Sequence, residues 1–248
     1  MHPLLVELSK RIVSRLQLIL VVALLAWAAG ANAATLAPGD HEFTLNHGQL
    51  RRSYIARVPL DGEQIYATGL SNGSMMAYRL AAEAAHRIAA VAGVAGAMTL
   101  PRFAPASAMP VMHIHSVDDQ RALYDGGLGP AFPFTDTRVL HEPVGVSLEK
   151  WIAHNGCPAR PEVMGPVSGR PDAADAAHTA TRYTYMPCRG GTQVVLWKLT
   201  GAGHVWPGGV QDYLPLLLGA GTTVINANNE MWRFFSRFRR RQAVTGEQ

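Results

Sequence analysis

The chain has 248 residues, of which 48% are hydrophobic and 16% charged, with a formal charge of +4 and two cysteines. That length suffices for one domain with its own core. The composition excludes a disulfide-stapled miniprotein, because two cysteines make at most one bridge, and excludes wholesale disorder, because the apolar content is that of a globular protein.

Met1–Ala33 reads as a secretory signal. Lys10, Arg11 and Arg15 form a basic start, Leu16 to Gly30 is an apolar run, and Ala31-Asn32-Ala33 is a small-x-small cleavage site. The run is about 15 residues, short of the ~20 that a spanning helix needs, which favours cleavage over a permanent anchor. Cleavage before Ala34 predicts a secreted or periplasmic chain with no stable membrane association. It also removes Lys10, Arg11, Arg15 and Glu7, lowering the net charge. Nucleic-acid binding then rests only on Arg237, Arg239, Arg240 and Arg241. These end the last predicted helix, where they complement its dipole, and no nucleic-acid partner is expected.

His41–His47 and Ser53–Pro59 have strand character and read as an antiparallel hairpin around Gly48. Ile65–Thr68 is a short β-prone run. Ser74–Ala85, free of Gly and Pro, predicts a helix. Ile88–Val94 and Val111–His115 predict buried strands, and Thr137–Val146 an irregular stretch. Val146–His154 reads as a helix with Leu148, Trp151 and Ile152 on one face. Residues 158–180, rich in Pro, Gly, Ala and Asp, read as a loop. Thr192–Leu199 predicts a strand. Asn226–Phe238 predicts a last helix whose stripe is Met231, Phe234, Phe235 and Phe238. Strands alternating with helices define an α/β layer fold with a mostly parallel sheet, in a single domain spanning 34–241 with a tail at 242–248.

The strongest chemical motif is Gly69-Leu70-Ser71-Asn72-Gly73, a G-x-S-x-G between an apolar strand and a helix. The glycines allow a sharp turn that presents Ser71 Oγ above the sheet edge, where helix-terminal N–H groups face developing negative charge. Read alone, the motif equally fits an N-capping serine. A nucleophilic serine needs a base, and the base an orienting carboxylate. Asp118 and Asp119 follow the strand Val111–His115, and His204 sits in a glycine-rich loop after Thr192–Leu199. The order Ser, acid, His, each after a strand, is that of the nucleophile-elbow enzymes. His113 and His115 share one face of a strand, but no third ligand at suitable spacing accompanies them, so no metal is expected. No cofactor is expected either. In an oxidising compartment Cys157 and Cys188 can bridge; the alternative is two free thiols.

The stretches YATGLSNGSMMA, HIHSVDDQRALYDGG, NGC and GAGHVWPGG resemble the secreted esterases of the polyhydroxybutyrate depolymerase group, related to feruloyl and acetylxylan esterases. The resemblance implies an α/β-hydrolase fold with Ser71 as nucleophile and His204 as general base. It implies Asp119 as the acid, by its place four residues after His115 in the family's H-G-T-x-D pattern. Ser116 and Val117 replace the pattern's Gly and Thr, and Asp118 is the second choice. It supports pairing Cys157 with Cys188, and it points to Trp206 as a substrate-lining residue, with core packing the alternative. The implied substrates are polyhydroxyalkanoate, feruloyl or acetyl esters.

One oxyanion donor is the backbone N–H of Asn72. The second normally comes from a His-Gly-Gly loop, and the sequence has none. Only Leu60-Asp61-Gly62-Glu63-Gln64 separates Pro59 from Ile65, where the family pattern places two strand–helix units. A βαβ unit takes about 30 residues or more, so an internal segment near 59–65 reads as missing, together with central strands of the sheet. The expectation is an esterase impaired by that loss. The alternative is a catalytically inactive secreted binding protein built on the same fold.

Overall fold

The computed structural model describes residues 39–47, 50–58, 63–132, 134–210 and 214–240. The signal sequence, the tail and residues 59–62 of the short junction lie outside the described residues.

Two compact units divide at Leu60 and Asp61. In the first, β1 (Gly39–His47) and β2 (Leu50–Val58) pair antiparallel, with His47 opposite Leu50 and Gly39 opposite Val58. This is the expected hairpin.

The second unit is built on a six-stranded sheet in the order β3-β4-β5-β10-β9-β8. Strands β3 (Tyr66–Leu70), β4 (Ala90–Val94), β5 (Val111–Ser116) and β10 (Val194–Thr200) run parallel, while β9 (Thr179–Tyr185) and β8 (Glu162–Ser168) continue antiparallel. Every residue of β4 and β5 is buried, as in a parallel sheet covered on both faces. Alternate side chains build two cores. Val91, Val111 and Val194 point to a layer holding the helices Asn72–Glu83 and Val144–Asn155, through Tyr78, Ala81, Leu148 and Trp151. Val94, Met112, Ile114, Val195 and Trp197 point the other way, onto Met231, Phe234 and Phe235 of the helix Ala227–Phe235. Asn226 caps that helix by accepting the N–H of Asn229 at 3.0 Å.

The expected elements are present with shifted ends, and one expectation is corrected. Residues 158–180 are not a continuous loop, because they contain β8, and β9 begins at Thr179. Their composition hid a strand that is exposed along its whole length and needs no apolar face. Gly165 and Pro166 fall at a register shift between Met164 and Val167. An edge strand tolerates proline there, since one side of its backbone has no partner. Short strands β6 (Gly127–Leu128) and β7 (Leu140–His141) also pair within the loop after β5. Cys157 and Cys188 form a disulfide that joins the end of the helix Val144–Asn155 to the turn before β10.

Candidate active site

β3 runs directly into Ser71, which adopts φ 59° and ψ −118°, a conformation costly for any residue with a Cβ. The surroundings hold it there. Ser71 N–H donates to Val94 O at 2.8 Å, and Ser71 O accepts the first helical bond from Met75 at 3.1 Å. A Cβ on Gly69 would lie 2.5 Å from the backbone of Gly73, and one on Gly96 would lie 2.3 Å from Ser71 O. The turn therefore requires glycine at 69 and 96. At Gly73 a Cβ would meet nothing, so the expected steric need for both motif glycines holds only for the first. Asn72 is exposed and opens the helix, where backbone N–H groups have no intrahelical acceptor.

Asp119 lies buried just beyond β5. Its Oδ1 accepts the backbone N–H groups of Arg121 (2.8 Å) and Ala122 (2.9 Å). Its Oδ2 is 2.7 Å from Nδ1 of His204 and 3.2 Å from Nε2 of His115. Burial by itself would raise the Asp119 pKa. The hydrogen bonds from His115 and His204 outweigh that and hold the carboxyl well below the usual carboxylate range. Asp118 faces elsewhere, its Oδ2 accepting the N–H of Gly201 at 2.6 Å, which anchors the start of the His204 loop.

His204 follows β10 and is buried, its own N–H donating to Leu218 O at 2.6 Å. A Cβ on Gly203 would lie 2.1 Å from Leu218 O, so the loop can close this tightly only over glycine. Asp119 can only accept, so His204 Nδ1 carries the proton. In the neutral ring Nε2 then keeps a lone pair, the state a general base needs. Ser71, Asp119 and His204 stand after the C-terminal ends of β3, β5 and β10, the edge of a parallel sheet where α/β proteins place their sites.

Trp206 is half-buried, packs against the core beside the helix Ala227–Phe235, and donates its indole N–H to Asn228 Oδ1 at 3.0 Å. Sequence reasoning passed over His141 on β7, which interacts electrostatically with Asp119, His115 and His204. No spacing rule reaches it, since it stands on β7, paired with Gly127 of β6 in the loop after β5. A cavity of about 660 Å³ opens at the other end of the sheet, beside Ala89, Pro110 and Thr192, which precede their strands.

A mostly parallel sheet flanked by helices, a strained serine turn and an Asp–His pair at the strand ends together define an α/β-hydrolase-like protein. Residues 27–143 match the family model described as esterase PHB depolymerase. The protein named as the esterase NocK of Nocardia uniformis subsp. tsuyamanensis is 34% identical over 173 residues, which is 66% of this chain and 48% of that protein. Feruloyl esterase D of Neurospora crassa is 28% identical over 185 residues, 72% of this chain and 50% of the relative. The bifunctional acetylxylan esterase/xylanase XynS20E of Neocallimastix patriciarum is 24% identical over 156 residues, 63% of this chain and 19% of the relative. The chain is thus similar to the polyhydroxybutyrate depolymerase and feruloyl esterase-like family. It spans about half the length of the first two relatives.

Proposed function

We propose that the chain is a secreted serine carboxylic ester hydrolase of the polyhydroxybutyrate depolymerase type, with Ser71 as nucleophile, His204 as general base and Asp119 as the orienting acid. The observation that carries this reading is the 2.7 Å bond from His204 Nδ1 to a buried Asp119, set at the same sheet end as the strained Ser71. His204 Nε2 takes the Ser71 proton as Oγ attacks an ester carbonyl. Asp119 stabilises the imidazolium. His204 returns the proton to the leaving alcohol, and water then releases the acyl group by the same steps. The N–H of Asn72 supplies one oxyanion donor. The names of the relatives support feruloyl or acetyl esters, and the family match supports polyhydroxyalkanoate, as substrate classes. The disulfide supports an oxidising compartment.

The same reading includes impairment. In the family pattern two strand–helix units precede the elbow strand, and in the described sheet β3 is an edge strand. Loss of one oxyanion donor typically costs about 3–4 kcal/mol of transition-state stabilisation. The purified chain is therefore expected to react with a fluorophosphonate at Ser71 but to turn over a short-chain p-nitrophenyl ester slowly, and Ser71→Ala should abolish both. Turnover typical of the family would overturn the impairment. Absence of labelling in the folded chain would overturn the hydrolase reading and leave the binding protein.

A further inference from the structure

Behind Asp119 a line of buried polar side chains crosses from the acid loop to the elbow helix. The Tyr78 hydroxyl is 2.9 Å from His113 Nδ1, His113 Nε2 is 3.1 Å from His115 Nδ1, and His115 Nε2 is 2.8 Å from Ala122 O and 3.2 Å from Asp119 Oδ2. All three side chains are buried. Tyr78 lies on the helix Asn72–Glu83, two turns beyond Ser71. Gly93 on β4 leaves room for the crossing, since a Cβ there would come within 2.1 Å of Ser74 Oγ and 3.3 Å of His113 Nδ1.

The acceptors dictate where each proton sits. His115 Nε2 faces a carbonyl and a carboxylate, which only accept, so it carries a proton. With the ring neutral, His115 Nδ1 accepts, which makes His113 Nε2 a donor. Burial holds the His113 pKa well below its ordinary value, so His113 is neutral too and its Nδ1 accepts. The Tyr78 hydroxyl then donates. Every bond points one way, toward Asp119.

We propose that Tyr78, His113 and His115 form a positioning relay that fixes the Asp119–His204 pair and ties it to the helix carrying the nucleophile. The proposal rests on reading Asp119 and His204 as acid and base. None of the three touches substrate. His115 gives the carboxylate an additional donor beside Arg121 N–H, Ala122 N–H and His204. The other groups around the pair are His141 from β7, Asp118, and Tyr124, whose ring meets His115 edge-on and lies beneath the Lys198 ammonium.

Removing the His115 donor makes the Asp119 carboxylate more basic, which stabilises the His204 imidazolium and raises its titration midpoint. The test is nitrogen-15 histidine NMR on the full chain, read for tautomers and for the midpoint of His204. Protons on Nε2 of both His113 and His115 are expected. In His115→Phe, which keeps a ring in place, the His204 midpoint should rise by about half a unit to one unit, less than the ~1–2 units that one hydrogen bond is worth to the Asp119 carboxylate itself, because His204 feels the change only through that carboxylate. Tyr78→Phe should move it the same way by less, and it preserves the ring packing if His115→Phe fails to fold. A merely structural role would lower stability and leave the midpoint unmoved. A His113 proton on Nδ1, or an unmoved midpoint in Tyr78→Phe or in a folded His115→Phe, overturns the relay. Fluorophosphonate labelling of the unaltered chain is run in parallel. Its failure sinks the hydrolase reading, while the relay is judged by tautomer and midpoint alone.

Discussion

Two adjacent aspartates, Asp118 and Asp119, have different partners. Asp119 Oδ2 meets His204, and Asp118 Oδ2 meets the backbone of Gly201. Asp119→Asn presents an amide that can donate to His204 Nδ1 and so favours the wrong tautomer. In a working triad that change costs about 10⁴-fold in rate. The fluorophosphonate labelling rate of Ser71 is expected to fall by about that order in Asp119→Asn. Asp118→Asn, which keeps an acceptor for Gly201, should change the rate by less than tenfold. Equal losses in the two variants would reject Asp119 as the acid. The motif spacing brought both aspartates to the right strand end, but which of the two turns inward depends on the backbone after β5. There the N–H groups of Arg121 and Ala122 converge on Asp119 Oδ1.

At the scale of elements, the elbow is held by close backbone approaches. Gly96 belongs to the loop after β4 and carries no motif signal, yet a side chain there would collide with Ser71 O. Gly96→Ala is expected to destabilise the fold by about 1–3 kcal/mol, the usual range for overpacking, and to slow labelling of Ser71. Urea unfolding and labelling kinetics together check this, and wild-type stability would reject it. The disulfide is a second element-scale restraint, closing a loop with a sequence separation of 31. Replacing Cys157 and Cys188 by serine should cost about 3–4 kcal/mol in the chain-entropy account, read as a lower urea midpoint. Legibility differed by element. The helix Ala227–Phe235 was readable because one face is buried, and its period shows. Strand β8 was not, because an exposed edge strand leaves no alternation to read.

For the whole molecule, acid sensitivity follows from two buried groups. The folded-state pKa values of His113 and Asp119 both lie below the ordinary ones. Each group therefore binds protons more readily in the unfolded chain. The stability from His113 is full above about pH 6.5, and that from Asp119 above about pH 4, and each is lost as the pH falls through its own window. Thermal unfolding followed from pH 8 to 3 should show Tm dropping below about 6.5 and more steeply below about 4. In Asp119→Asn the lower step should shrink. A Tm independent of pH across the upper window would contradict the neutral, buried state of His113.

The sequence alone determined the layer class, the order Ser71, Asp118 or Asp119, His204, and the likeness to the esterase family. These follow from local signals: hydrophobic period, turn chemistry and a motif with its flanking elements. Tertiary structure decided which aspartate meets His204, that Gly96 is as necessary to the turn as Gly69, and that His113 and His115 spend their ring nitrogens on Tyr78, each other and the acid loop. It also placed β3 at the edge of the described sheet. Those outcomes depend on which atoms come within a few ångströms across β4, β5 and β10, and sequence spacing carries no record of that distance.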